Sequence, residues 1–179
     1  MSFPRYVKSL PLLLILLFNI PFADAQNAAD DSVLRVAQKH TGDSTEVNAL
    51  MRLGFSTSND DVRASLRYFR KALRLAEHLR DIKKTVTIYD ELGHLYHTLG
   101  KYDSSLVFHR HSLTLALANN DAYQASDAYE GIAQTFLRLT QLDSARDNLQ
   151  KGLSYAVKSN DYVGQSDFYN LWGNIFLEE

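Results

Sequence analysis

The chain has 179 residues, 45% hydrophobic and 22% charged, with a formal net charge of −2. That is the make-up of a folded domain with a sizeable core, and it excludes a disordered chain or one built on a basic face for nucleic acid. Cysteine is absent, which excludes disulfides, thiolate metal sites, cysteine nucleophiles and lipid attachment through an N-terminal cysteine.

Residues 1–25 read as a targeting segment. Arg5 and Lys8 give a positive start, Leu10 to Phe18 is almost wholly apolar, and Ala23-Asp24-Ala25 offers small residues at the positions a signal peptidase reads. The charge-free apolar stretch from Ser9 to Ala23 is short for a membrane-spanning helix and contains Pro11 and Pro21. The expectation is a cleaved secretory signal ending at Ala25 and a periplasmic or secreted product; the alternative is an uncleaved anchor. The three prolines all lie in this segment, so none interrupts a helix downstream. Residues 26–43 read as a linker with a short helix near Ser32–Lys39.

From there the chain repeats every 40 residues. Tyr89, Tyr129 and Tyr169 align, followed by Leu92, Ile132 and Trp172, then Gly93, Ala133 and Gly173, then Tyr96, Phe136 and Phe176. Leu73, Leu113 and Leu153 align, as do Ala76, Ala116 and Ala156. Asp81, Asp121 and Asp161 mark the joints and are good N-caps for the helices that follow. Each unit holds two helices whose apolar residues recur at spacings of three and four. Small residues recur at matched heights: Gly93, Ala133 and Gly173 on first helices, and Ala72, Ser112 and Gly152 on second helices. They let two helix backbones approach closely. The spacing predicts units at about 44–80, 81–120 and 121–160, and a final helix at 161–179. The first helix of the first unit is degenerate, with Leu53-Gly54 one residue out of register, and an altered turn at Thr57–Asp61 accounts for it.

Tyr89-x-x-Leu92-Gly93-x-x-Tyr96, continued by Gly100-Lys101-Tyr102-Asp103-Ser104-Ser105, resembles the tetratricopeptide repeat motif, with Ser for the usual Ala. Tyr169-x-x-Trp172-Gly173-x-x-Phe176 resembles it with substitutions. The period of 40, against the usual 34, looks like a longer-helix subgroup, similar to exported bacterial proteins and sensor regions of this family. The resemblance covers residues 44–179. It implies an all-α fold, a right-handed α-α superhelix of helical hairpins, and a non-enzymatic scaffold that binds a protein or peptide in a concave groove.

In the resembled family first helices line that groove. The groove-facing positions fall on Asp90, His94 and His97, on Asp127, Glu130, Gln134 and Arg138, and on Asp167, Asn170 and Asn174. The set is polar with an acidic bias, which suits a partner segment of basic character. Asp90 and Glu130 stand where a carboxylate-clamping groove would want cations, so an acidic C-terminal peptide is a poor ligand.

No phosphate-cradling glycine loop, nucleophile elbow or His-Glu-x-x-His is present, so no catalytic residue, cofactor or metal is assigned. His94 and His97, three apart on one helix face, form a weak metal-binding signal. Three readings remain: an exported partner-binding scaffold; the N-terminal sensory fragment of a larger bacterial signalling receptor, a histidine kinase or transcriptional regulator; and a periplasmic metal or small-molecule binder using His94 and His97. Trp172 and Phe176 sit on a final helix with no second helix behind it, so an open face around Trp172 suits self-association.

Overall fold

The computed structural model describes residues 32–178; the targeting segment at 1–25 lies outside the described residues. The described residues form eight helices. A short helix, α1, spans residues 32–38. Seven longer ones follow: α2 (Ser44–Thr57), α3 (Val62–His78), α4 (Ile82–Thr98), α5 (Tyr102–Ala118), α6 (Ala122–Arg138), α7 (Leu142–Ser159) and α8 (Tyr162–Glu178). At 1.5 Å per residue the 17-residue helices are each about 25 Å long. None is long and apolar enough to cross a membrane among the described residues.

The turns set the register. Arg80, Gly100, Asn120, Thr140 and Asn160 all adopt the left-handed conformation, with φ between 55° and 68°. They fall every twenty residues. At each one the backbone closes a Schellman motif. Asp81 N–H bonds the Ala76 carbonyl, Lys101 that of Tyr96, Asp121 that of Ala116, Gln141 that of Phe136 and Asp161 that of Ala156. The same turn therefore reverses the chain within a unit and between units. The turns between units carry an additional signal. The carboxylates of Asp81, Asp121 and Asp161 accept the backbone N–H three residues on, at 3.1–3.2 Å, whereas within units Asp61 caps α3 at 2.9 Å but Lys101 and Gln141 provide no side-chain cap.

Each helix packs on the next, and α4 also meets α6, and α6 meets α8. First helices thus form one layer and second helices the other, an all-α solenoid. Helix pairs come close where a Cβ is missing. The Phe69 ring lies over Gly54, where an added Cβ would come within 2.6 Å of it, and the His109 ring lies over Gly93 at the same distance. Gly131, on α6, faces the other side of His109 more closely still, and Phe168 covers Gly152. Gly54 thus does for α2 what Gly93 does for α4 although it stands one residue off the period, because the α2–α3 turn lacks the Schellman geometry of the others. Small hydroxyls hold the same close contacts. Ser65 Oγ donates to the Gly54 carbonyl at 2.7 Å, and Ser112 Oγ to that of Val86 at 3.1 Å. Ser105 Oγ and Thr135 Oγ1 pair at 3.0 Å.

The core along the stack falls into three clusters. Val33 and Ala37 of α1 are buried with Val47, Leu50, Phe69, Leu92 and Tyr96. At the other end Leu149, Phe168 and Ile175 form the core, with Trp172 packed against them. The apolar side chains left open on α8 are Tyr162, Val163, Tyr169 and Phe176, the last two 64% and 68% exposed. Trp172 therefore lies against the core and not at the centre of the open face. Tyr89 stacks on His111 and Tyr129 on Tyr155, while Tyr169, their repeat equivalent, has no second helix over it among the described residues.

Glycine substitutions separate these roles. Gly93→Ala forces a methyl into the His109 ring and should destabilise the fold by about 1–3 kcal/mol. Gly173, which faces nothing within 4 Å, should tolerate alanine and gain up to about 1 kcal/mol from helix propensity. Urea unfolding of the two variants reads both signs. Thr140 holds a left-handed conformation (φ 55°) with a β-branched side chain. Thr140→Asn, matching Asn120 and Asn160, should raise stability by about 1 kcal/mol; no rise in the urea midpoint would mean that the turn is unstrained.

Candidate functional site

The inner layer gathers ionisable groups from α4, α5, α6 and α8. Asp90 is only 7% exposed, and both its oxygens are engaged. His109 Nδ1 donates to Oδ1 at 2.8 Å, and His94 Nε2 donates to Oδ2 at 3.2 Å. The spacing of four places Asp90 and His94 on one helix face. His109 reaches them from α5 because Gly93 and Gly131 leave room for its ring on both sides. It is wholly buried, and its Nε2 has no hydrogen-bond partner. One unit away the same position carries Phe69 and Leu149, both fully buried.

Burial works against the charge on Asp90, yet the hydrogen bonds from His109 and His94 hold its carboxyl well below the usual carboxylate range. Burial keeps His109 neutral by pushing its imidazole down. His94 is also penalised by burial. The Asp90 hydrogen bond and the charges of Asp90, Glu91 and Glu130 outweigh that and push it up to about 9. The His94 side chain is 42% exposed at the rim, so solvent screens part of this interaction.

The other carboxylates crowd one another. Burial, then the charges of Asp90, Glu130 and Asp161, push Asp127 up to about 7. Burial raises Glu91 to about 6, and burial with the Asp167 charge raises Glu130. Glu130 also accepts from Gln134 Nε2 at 2.7 Å. The opposite end of the inner layer is different. His97, Gln134, Leu137, Arg138, Thr140, Leu171 and Asn174 line a cavity of about 570 Å³. His97 is pushed down by burial and by the nearby Arg138 charge, and its Nε2 is buried without a partner.

Of the ten positions assigned to the groove, His97, Gln134, Arg138 and Asn174 meet around this cavity. His94, Asp127, Glu130 and Asp167 share one electrostatic field. Asp90 turns inward and is committed to the two histidines, and Asn170 is simply exposed. The histidine pairing differs from the expected one: His94 meets His109 and Asp90, and His97 lies outside that group. His109 and Glu91 were not among the expected positions. An imidazole at 109, where the units on either side carry phenylalanine and leucine, is the signal that marks the first.

The pH dependence follows from these directions. Asp127 has a folded pKa above its unfolded value, so the folded state holds its proton longer. Stability is lost as pH rises from about 4 through about 7. His94 is also raised, so its contribution is complete below about 6.5 and is lost as pH climbs through about 9. Asp127 and His94 thus lower the melting temperature as pH rises from 5 to 9, against the opposite contribution of His109 and His97, whose pKa values are lowered. Asp127→Asn should melt about 2–4 °C above wild type at pH 8, for a relief of about 1 kcal/mol, and no higher at pH 4. Parallel profiles for the two proteins would show that Asp127 is not repelled in the fold.

Residues 84–156 match the tetratricopeptide repeat family. No curated protein sequence matches the chain. Among solved structures, aspartyl phosphate phosphatase F from Bacillus subtilis is similar at 18% identity and a TM-score of 0.68, over 71% of this chain and 33% of that one. BtubC (BKLC) from P. vanneervenii is similar at 20% identity and a TM-score of 0.69, over 87% of this chain and 64% of that one. At such identities the likeness is one of fold. The chain spans a third of the first structure's length and just under two thirds of the second's. The motif match spans α4 to α7, and the five turns from Arg80 to Asn160 close alike at twenty-residue spacing, so residues 84–156 are similar to the tetratricopeptide repeat family.

Proposed function

We propose that this chain is a non-enzymatic scaffold whose inner face, formed by α4, α6 and α8, holds a protein partner through a segment rich in lysine or arginine. The observation that carries this reading is the crowding of carboxylates from three first helices. Asp127 of α6 is raised first by burial and then by the charges of Asp90 of α4, Glu130 on its own helix and Asp161 at the start of α8. Carboxylates raised toward neutrality in this way gain when a cation enters among them, because the incoming charge relieves repulsion already present in the free protein. The cavity around His97, Gln134, Arg138 and Asn174 offers donors and acceptors at the other end, suited to main-chain or amide groups of the same segment. This arrangement fits an extended or helical peptide lying along first helices. The sequence of residues 1–25 suits export, and in this proposal the partner is met outside the cytoplasm; the N-terminal residue of the protein recovered from an exported fraction tests that part.

Fluorescence anisotropy with a labelled Lys/Arg-rich peptide and an acidic peptide of equal length tests the groove. The basic peptide should bind, more weakly as salt rises. Asp127→Asn combined with Glu130→Gln should lower its affinity about tenfold or more, on the scale of charged pairs at an interface. Equal binding of the acidic peptide, or an unchanged affinity in the double variant, overturns the proposal.

A further inference from the structure

We infer that Asp90, His94 and His109 form a binding site for one divalent transition metal ion of the zinc class. Each residue offers one donor atom, and the three donors lie within 4.8 Å of one another. Two contacts are already short, one on each carboxylate oxygen: 2.8 Å from Asp90 Oδ1 to His109 Nδ1 and 3.2 Å from Asp90 Oδ2 to His94 Nε2. Ligands about 2.0–2.1 Å from a tetrahedral ion stand about 3.4 Å apart. The three donors have to draw together around one carboxylate oxygen, and His94, 42% exposed at the rim, has room to shift.

The second observation is the character of His109. Its position in the repeat is a packing position, filled by Phe69 and Leu149 in the neighbouring units. An imidazole there is wholly desolvated and leaves Nε2 without a partner. Packing alone favours an apolar ring at such a place. What the imidazole adds is a nitrogen directed at Asp90 in a cradle that Gly93 and Gly131 keep clear.

The donor chemistry selects the ion. Two imidazole nitrogens and one carboxylate oxygen suit zinc and its neighbours cobalt and nickel, whereas calcium and magnesium want oxygen donors. Three protein ligands leave a fourth position for solvent. Binding displaces the Nε2 proton of His94 to solvent, and His109, which donates from Nδ1 in the free protein, ligates through Nδ1 by carrying its single proton on Nε2 instead. The donors do not include Asp127 or Glu130, so different substitutions test the site and the basic-partner reading, although Asp90 and His94 share the electrostatic field of those carboxylates.

The test is titration of chelator-treated protein with Zn²⁺, with Co²⁺ as a spectroscopic probe and Ca²⁺ as the oxygen-seeking control. One Zn²⁺ per chain is expected by calorimetry, together with a rise in melting temperature and the visible absorption of Co²⁺ in a low-coordinate nitrogen and oxygen site. His94→Ala, at the rim, should retain the wild-type circular dichroism and lose at least tenfold in Zn²⁺ affinity. His109→Phe, the residue found one unit earlier, should lose binding as well; if it does not fold, His94→Ala still decides. His97→Ala should bind Zn²⁺ within twofold of wild type. Failure of wild type to bind, equal affinity in His94→Ala, an equal loss in His97→Ala, or Ca²⁺ binding as tightly as Zn²⁺ would each overturn the site.

Discussion

Two helix backbones come close only where one of them carries no side chain to hold the other off. In this chain that requirement is met by glycine at the α2–α3, α4–α5 and α7–α8 contacts. Gly54 admits Phe69, Gly93 admits His109, and Gly152 admits Phe168. The large side chain then fills the space beside the contact, and Ser65, Ser105 and Ser112 satisfy their hydroxyls across the seam. A bulky residue at any of these glycines forces the helices apart, and the shift passes to the neighbouring unit because the stack has no other core.

The same constraint produced the polar cluster. The space between Gly93 and Gly131 is bounded by two first helices, α4 and α6, and receives a side chain from α5. A phenylalanine there would have made the site a plain packing contact. Histidine makes it ionic, because Asp90 lies one turn before His94 on α4 and accepts from both imidazoles. Burial opposes charge on both groups: it keeps His109 neutral, while at Asp90 the hydrogen bonds from the two imidazoles outweigh it and hold the carboxylate. Around it Glu91, Asp127 and Glu130 compete for too few cations, and the inner face is left acidic at one end and amide-rich at the other.

The turns show a second economy. Five left-handed residues at equal spacing close five Schellman motifs, yet only Gly100 is glycine. Asn120 and Asn160 tolerate the conformation through their short polar side chains. Arg80 and Thr140 do not share that tolerance and are held by the backbone bonds of the motif and by the helices on either side.

Much of this fold was legible in the chain itself. Tyr89, Leu92, Gly93 and Tyr96 recur with their equivalents because each unit must bury the same face against the next, and Asp81, Asp121 and Asp161 recur because each inter-unit helix begins with the same unpaired N–H groups. Periodic packing writes itself into periodic sequence. The joining of His109 to Asp90 and His94 could not be read in this way, since it depends on Gly131 of another unit and on how far α5 sinks between α4 and α6. Nor could the fate of Tyr169, which shares its repeat position with Tyr89 and Tyr129 but is left open on α8. A repeat fixes which residues are equivalent; the neighbours actually present decide which are buried, which are charged, and which remain free to meet something else.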